Sequence, residues 1–277
     1  MMSSDTILVL GGSGKTGRRV AERLVAKGRQ VRLASRSTVP AFDWTDLSGW
    51  ATALDGIDAV YVSYQPDLAV PGSVDAIGTF SALAVKKGVR HLVLLSGRGE
   101  DEALAAEEAV RASGIGYTII RASWFFQNFS ETFMADGIRA GELVLPVGGV
   151  REPFIDAEDI ADIAVAALME QGHAGKTYEV TGPRLMTFAE AVAEIGRHTG
   201  RDIRYTTVPM SDYVAMLEQA QIPADYIWLV QYLFTTVLDG RNESLTDGVD
   251  QALGRQPRDF SDFAGRTAAT GVWEDVK

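Results

Sequence analysis

The sequence predicts an α/β protein: a mostly parallel, doubly wound sheet with a smaller α/β lobe toward the C-terminus. Two observations support this prediction. Short β-branched and aliphatic runs alternate with segments of helical periodicity, the pattern that parallel strands joined by crossover helices produce. A glycine-rich turn, Gly11–Gly17, joins the first of these runs to the first helix. The composition, 46% hydrophobic and 23% charged, is that of an ordinary folded domain.

The alternation is regular through the first part of the chain. Strands are predicted at Thr6–Leu10, Gln30–Ala34, Asp58–Ser63, His91–Leu95 and Tyr117–Ile120. Helices are predicted at Lys15–Lys27, Ser73–Lys87 and Asp101–Ser113, and a short helix closes at Leu54–Gly56. Glycine follows each of the three longer helices and marks its end. The carboxyl ends of these strands should meet at one edge of the sheet, where ligands of such folds bind.

The regular alternation of predicted strands and helices ends at about residue 135. Short strands are predicted at Leu143–Pro146, Pro153–Ile155 and Lys176–Val180, and helices at Asp159–Met169 and Thr187–Thr199, the last with a Thr/Glu capping box. Residues 210–240 are helical and rich in aromatic side chains. We therefore expect a first domain over residues 1–150 and a smaller lobe over 151–277, with segments that return to the main sheet.

Composition excludes several functional classes. The chain has no cysteine, which rules out disulfides and thiol chemistry. Its net charge of −11 disfavours a nucleic-acid partner. Its longest stretch free of charged residues, Tyr226–Leu238, is too short to span a membrane, and the N-terminus has no cationic leader. The three histidines lack the spacing of metal ligands. We expect a cytoplasmic protein with a small-molecule substrate and no metal, and a homodimer is left open.

The first forty residues differ from this acidic background, because they hold eight basic side chains and two acidic ones. Such a patch is either a site for a small polyanion or the solvated face of the first helix.

The glycine turn suits a dinucleotide. Gly11, Gly14 and Gly17 lie between a strand and a helix, where they permit a tight turn, close approach of a pyrophosphate and close packing of helix on strand. A nucleotide-triphosphate loop is excluded, since it needs a further glycine where Val9 stands. The motif therefore predicts a Rossmann-type cofactor domain.

The end of the second strand indicates which dinucleotide binds. Ser35 and Arg36 stand where an NAD-selective site places an acidic residue, and an arginine there suits the 2′-phosphate of NADP(H). Lys15 could reach the same phosphate. Alternatively, Arg36 only covers the adenine face. Asp43 could accept a hydrogen bond from the adenine amine, while Trp44 packs nearby or belongs to the core.

These segments, with several later ones, resemble the NmrA-like atypical short-chain dehydrogenase/reductases. The resemblance rests on residues 11–17, 42–44, 88–96, 113–121, 124–129 and 153–161. It is nearest to the agroclavine-dehydrogenase-like branch, with NAD(P)H:quinone oxidoreductase type 2 and triphenylmethane reductase as related branches. It implies NADP(H) and hydride transfer to a flat, conjugated substrate.

One departure from the superfamily limits the chemistry. No tyrosine of this chain has a lysine four residues later, and no lysine stands between Lys87 and Lys176. Without that proton-exchange pair, an electron-poor acceptor such as a quinone, an iminium or a triarylmethyl cation is favoured over a ketone. The acidic run Glu100–Glu102 suits a helix N-terminus.

The predicted site comprises three sets of residues. The cofactor-binding residues are Gly11, Ser13, Gly14, Lys15, Thr16, Gly17, Ser35, Arg36, Asp43, Trp44, Ser63 and Ser96. The catalytic candidates are Ser96, Tyr64 and Asn128, and the substrate-pocket candidates are Trp124, Phe125, Phe126 and Phe129. We expect an NADPH-dependent reductase. The alternative is a regulator that binds NADP(H) and senses its redox state without turnover.

Overall fold

The computed structural model describes residues 5–274. Residues 1–4, on which the prediction of no cationic leader rests, lie outside it, as do residues 275–277. The described chain divides into two compact units. Unit 1 holds the residues up to Ala122, Ala157–Val180 and Asp247–Arg255. Unit 2 holds Ser123–Asp156, Thr181–Thr246 and the residues from Gln256 onward. Within residues 5–274, no helix is long and apolar enough to cross a bilayer.

The strands, in chain order, are β1 Thr6–Leu10, β2 Gln30–Ala34, β3 Ala59–Val62, β4 His91–Gly97, β5 Gly116–Ala122, β6 Glu142–Leu145, β7 Lys176–Val180 and β8 Arg204–Thr207. The helices are α1 Lys15–Ala26, α2 Trp50–Ala53, α3 Ser73–Lys86, α4 Asp101–Ala112, α5 Asn128–Glu131, α6 Phe133–Ala140, α7 Ala157–Met169, α8 Phe188–Thr199, α9 Met210–Gln219, α10 Ala224–Tyr232, α11 Gly248–Leu253 and α12 Phe260–Ala268. A 3₁₀ turn precedes α2, and a π-helical turn, Leu233–Val237, follows α10.

Unit 1 contains the large sheet, which confirms the predicted fold class. Its six strands run in the order β2-β1-β3-β4-β5-β7, and every pair is parallel. Strand β2 lies on one side of β1, and β3 and the later strands lie on the other side. The strand order therefore reverses at β1. In sheets of this kind, the ligand crevice opens at that reversal, outside the carboxyl ends of the strands.

The boundary between the units differs from the expected one at residue 150. Residues 123–150 lie in unit 2, because β6 pairs with β8 in a separate two-stranded sheet and not with the large sheet. Two later segments, 157–180 and 247–255, belong to unit 1 and supply α7, β7 and α11.

The core of unit 1 lies between the large sheet and helices α3 and α4. Alternate residues of the strands, among them Leu8, Leu92 and Leu94, face Phe80 of α3 and Ala106 of α4 in one buried cluster. The apolar runs that predicted buried strands are therefore buried as parallel strands require.

Ion pairs join α1 to α7 in unit 1 and account for part of the basic patch. Arg19 donates to Glu158 at 2.6 Å, and Arg23 donates to Asp162 at 2.8 Å and also to Glu158. Arg32 donates to the carbonyls of Ala53 and Asp55. These three arginines thus stabilise the fold and do not form an anion site.

Unit 2 has its own aromatic core. Phe129, Phe154, Phe188 and Phe260 pack edge to face or tilted, with ring centroids 5.0–6.5 Å apart. The predicted capping box of Thr187 and Glu190 is present at the start of α8. The predicted strand Pro153–Ile155 is wrong: only an isolated bridge joins Ile155 to Phe125 there.

A buried carboxylate ties β4, β5 and α4 together in unit 1. Glu107 is fully buried and accepts hydrogen bonds from Ser96 at 2.7 Å, from Arg121 at 2.6 and 2.9 Å, and from Arg111 at 3.1 Å. Burial alone would raise the pKa of Glu107, but the bonds from Arg121 and Ser96 outweigh it, and the pKa lies below its ordinary value.

We predict that Glu107→Gln lowers the free energy of unfolding by about 3 kcal/mol near neutral pH, because it removes the buried carboxylate that Arg121 and Arg111 share and leaves them the more exposed Glu179 and Glu108. The difference should shrink as pH falls through the lowered pKa of Glu107, since the wild-type carboxylate is protonated there. Urea denaturation measures both effects. Glu108→Gln, 72% exposed and bound only to Arg111, is the matched control and should cost under about 1 kcal/mol. Equal losses in both variants would contradict this account of Glu107.

Candidate functional site

The β1–α1 turn forms the base of the candidate site in unit 1. Gly11 has a φ of +67°, and its carbonyl accepts a hydrogen bond from the amide of Gly14 at 2.8 Å. A Cβ at Gly17 would overlap the carbonyl oxygen of Gly11 and lie 2.7 Å from its carbon. A Cβ at Gly12 would lie 2.8 Å from Leu33. Gly11 and Gly17 therefore require glycine, whereas the side chain of Leu33 can move away from a Cβ at Gly12, and the turn keeps the predicted spacing.

Helix α1 begins directly on this turn. Gly14 is its N-cap in extended conformation, and among the described residues no side chain caps the first turn and no acidic residue lies in it. Amide groups and the positive end of the helix dipole therefore lie beside the carboxyl end of β1, an arrangement that suits a pyrophosphate. The glycine cradle and the uncapped helix fit the dinucleotide that the sequence predicts.

Arg36 lies just beyond β2, at the same edge of the sheet as the turn. It is exposed, and within residues 5–274 its guanidinium has no ion pair or hydrogen bond. The hydroxyls of Ser35 and Ser37 lie 3.2 Å apart beside it. An unpaired guanidinium flanked by hydroxyls is well suited to bind a phosphate bidentately.

An aromatic and acidic group follows in the loop after β2. Asp43 accepts from the amide of Thr45 at 2.9 Å and from its hydroxyl at 2.8 Å, and these bonds lower the pKa of Asp43. Trp44 is half-buried, with its ring centroid 4.8 Å from that of Tyr64 and 4.9 Å from that of Phe42. Trp44 thus packs on the core and still keeps exposed surface.

Tyr64 packs beside Trp44, and its predicted catalytic role stays a prediction. Burial, followed by the charge of Asp43, raises the pKa of Tyr64, which makes the phenol a weaker acid. Its place against Trp44 puts it with the loop after β2.

The two predicted serines differ in surroundings. Ser63 follows β3 and lies against Gly11, with its Cβ 3.4 Å from where a Gly11 Cβ would stand. Ser96 is buried, and its hydroxyl donates to Glu107 on α4 at 2.7 Å. That bond directs the hydroxyl hydrogen toward α4, and the catalytic and cofactor-binding roles of Ser96 stay predictions.

The predicted substrate residues all lie in unit 2, and two of them are core residues. Phe126 is 1% exposed with its ring centroid 5.0 Å from that of Phe260, and Phe129 is 0% exposed among the same rings. Neither offers surface to a ligand, which corrects the prediction. Trp124, Phe125 and Asn128 are half-buried and keep exposed surface.

A carboxyl pair in unit 1 was missed. Asp67, five residues after β3, and Glu100, three residues after β4, have carboxyl groups close enough for each to shift the pKa of the other. Sequence reasoning assigned Glu100 to the helix N-terminus, but its side chain makes no cap bond to α4. Asp101 and Glu102 do lie in the first turn, as predicted. The signal in the sequence was the position of both acids just beyond adjacent strand ends.

Two protein families match the chain. The family described as NAD(P)H-binding matches residues 11–171, and the family described as NmrA-like matches residues 101–264.

Curated relatives are similar over nearly the whole chain. An uncharacterized oxidoreductase of Bacillus subtilis is 30% identical over 99% of this chain and 100% of its own length. Agroclavine dehydrogenase of Claviceps fusiformis is 30% identical over 93% and 96%, respectively. An NAD(P)H azoreductase of Xenophilus azovorans is 29% identical over 95% and 98%.

Solved structures share the fold. The triphenylmethane reductase of Citrobacter sp., complexed with NADP(H), has a TM-score of 0.78 at 18% identity over 95% of this chain and 99% of that one. An NADPH-dependent quinone oxidoreductase of Escherichia coli has a TM-score of 0.74 at 20% identity over 94% and 99%.

We predict that Gly17→Ala weakens NADPH binding by more than about 10-fold, because the added Cβ displaces the Gly11 carbonyl and opens the turn. Quenching of protein fluorescence on titration with NADPH measures this, and circular dichroism checks that the chain stays folded. Gly149→Ala, where a Cβ meets nothing within 4 Å, is the matched control. Unchanged affinity in a folded Gly17→Ala protein would mean that the cofactor does not lie on this turn.

Proposed function

The chain belongs to the NAD(P)H-binding, NmrA-like family of oxidoreductases, and from this premise we propose that it is an NADPH-dependent reductase of small conjugated acceptors. The relatives from Claviceps fusiformis and Xenophilus azovorans are named as a dehydrogenase and a reductase, which favours turnover over cofactor sensing alone.

The observation that carries the cofactor preference is the unpaired Arg36 beside the glycine turn. Of the other N-terminal arginines, Arg19, Arg23 and Arg32 are bound to carboxylates or carbonyls. Arg29 precedes β2 and so lies at the opposite end of that strand from the glycine turn. A 2′-phosphate would give Arg36 the partner it lacks, and NADH would not. Asp43 and Trp44 lie in the loop that follows and would border the adenosine.

The bound cofactor supplies a hydride; the protein supplies position and charge. The amides at the start of α1 hold the pyrophosphate, and Gly11 and Ser63 let it approach the backbone. Holding the reacting carbons about 3–3.5 Å apart accounts for much of the rate in such a step. An acceptor that is already electron-poor needs no tyrosine–lysine pair, which this sequence lacks.

Residues of the chain and the names of its relatives both support the proposed acceptor class. Trp124 and Phe125 keep aromatic surface for a flat molecule, and Asn128 has an amide side chain for a polar group. Two relatives are named for the compounds they act on, agroclavine dehydrogenase and an NAD(P)H azoreductase. We infer a quinone, iminium, azo or similar acceptor.

The test is consumption of NADPH, followed by its absorbance, against quinones, cyclic iminiums, azo dyes and triarylmethane dyes, with NADH in parallel. Saturable turnover that prefers NADPH supports the proposal. Tight binding of NADPH without turnover of any acceptor would contradict it and favour a cofactor-sensing regulator.

We predict that Arg36→Ala weakens NADPH binding by roughly 10- to 100-fold, the range for losing a charge-assisted bond to phosphate, and leaves NADH within about 2-fold. The ratio of the two dissociation constants is the measurement. Lys27→Ala removes an exposed charge at the far end of α1 and should change neither constant. Equal losses for NADPH and NADH in Arg36→Ala would show that the arginine does not bind the 2′-phosphate.

A further inference from the structure

The carboxyl pair of Asp67 and Glu100 has no role in the proposed binding of the cofactor. Glu100 is 7% exposed, and its Oε2 has no hydrogen-bond partner among the described residues. A Cβ at Gly97, the last residue of β4, would overlap this carboxyl group, so the glycine leaves the space in which the acid lies. Asp67 is half-buried and accepts from the amide of Ala69 at 2.9 Å.

The charges around the pair keep a proton on it. Within residues 5–274, no cationic side chain pairs with either acid, and Glu102 adds a further negative charge. Arg98, two residues away, donates to Glu179 at 2.7 Å. Burial, then the charge of Asp67, raises the pKa of Glu100 well above its ordinary value, and burial raises that of Asp67. Two buried carboxyl groups in contact without a cation favour sharing one proton, and the pKa is raised further at Glu100 than at Asp67.

The place of the pair in the fold is that of a reacting group. The strand order reverses at β1, so a dinucleotide whose adenosine lies over β2 extends its other half over β3 and β4. Asp67 and Glu100 follow these two strands directly. A stable fold has no need of a buried neutral acid here, because an apolar side chain would cost less to bury.

We propose that Glu100 is the proton donor for acceptors whose reduced product must gain a proton, and that Asp67 positions it through their shared hydrogen bond. This inference rests on the proposed reductase function. The hydride brings two electrons to one atom of an azo group, and the N=N π bond breaks. The O–H bond of Glu100 then breaks, and a new N–H bond forms on the second nitrogen. Glu100 is left as a carboxylate and regains a proton from water through the half-exposed Asp67.

Two acceptors separate this role from a structural one. An azo dye needs both hydride and proton, whereas a triarylmethyl cation becomes a neutral product with hydride alone. In Glu100→Gln we expect azo turnover to fall by roughly 10²- to 10⁴-fold, the range for loss of a general acid, and turnover of the cation to stay within about 3-fold. Asp101→Asn, an exposed neighbour in the first turn of α4, is the control and should change neither.

The pH profile tests the pair itself. Only protonated Glu100 donates, so azo turnover should be lost as pH rises through its raised pKa, and turnover of the cation should not follow. In Asp67→Asn the negative charge beside Glu100 is removed, so the pKa of Glu100 falls. The loss of azo turnover then occurs at a lower pH than in the wild-type protein. Independently of turnover, infrared spectra of the NADPH-bound protein near neutral pH should show a protonated carboxyl band that Glu100→Gln lacks.

Several outcomes would overturn the inference: equal losses for both acceptors in Glu100→Gln, no loss for either, or no band that the variant removes. A wild-type protein that reduces the cation but no azo dye would overturn it too, because the donor would then have no acceptor to serve. A wild-type protein that reduces neither acceptor contradicts the proposed function itself.

Discussion

The carbonyl oxygen of Gly11 lies so close to Cα of Gly17 that no side chain fits between strand β1 and helix α1. This close approach starts α1 directly at the carboxyl end of β1, with its uncapped amides at the sheet edge. The other features of the site depend on it, since Arg36, Ser63 and Glu100 follow strands aligned with β1 in a single parallel sheet. A cofactor held on the turn is thereby placed against groups that are far apart in sequence.

The charges of unit 1 are distributed in a way that singles out this edge. Arg19 and Arg23 join α1 to α7, and Arg121 helps Glu107 join β4, β5 and α4. These charged side chains thus serve to join helices and strands of unit 1. Two groups at this edge differ: among the described residues the guanidinium of Arg36 has no ion pair, with the charge of Asp43 nearby, and Glu100 is a buried acid without a cation. Both lie beyond strand ends, where a phosphate and a reacting acceptor would supply what they lack.

The sequence alone predicted the sheet and the glycine turn well, because apolar runs, helical periodicity and glycine position are local properties. The observed β1, β2 and β7 have the predicted bounds. Partners distant in sequence were not predictable. Ser96 was taken as catalytic, yet Glu107 binds it from α4; Phe126 and Phe129 were taken as a pocket, yet residues near 260 cover them. The extent of the first unit was missed for the same reason, since only the pairing of β6 with β8 reveals it.

The central claim is that the chain holds NADPH on the β1–α1 turn and transfers hydride from it to an electron-poor carbon. The most direct measurement uses NADPH deuterated at the nicotinamide C4, a triarylmethyl cation as acceptor, and mass spectrometry of the product. The account predicts that the colourless product carries one deuterium at its central carbon, from one face of the nicotinamide only. A product without deuterium, or tightly bound NADPH that yields no product, would contradict it.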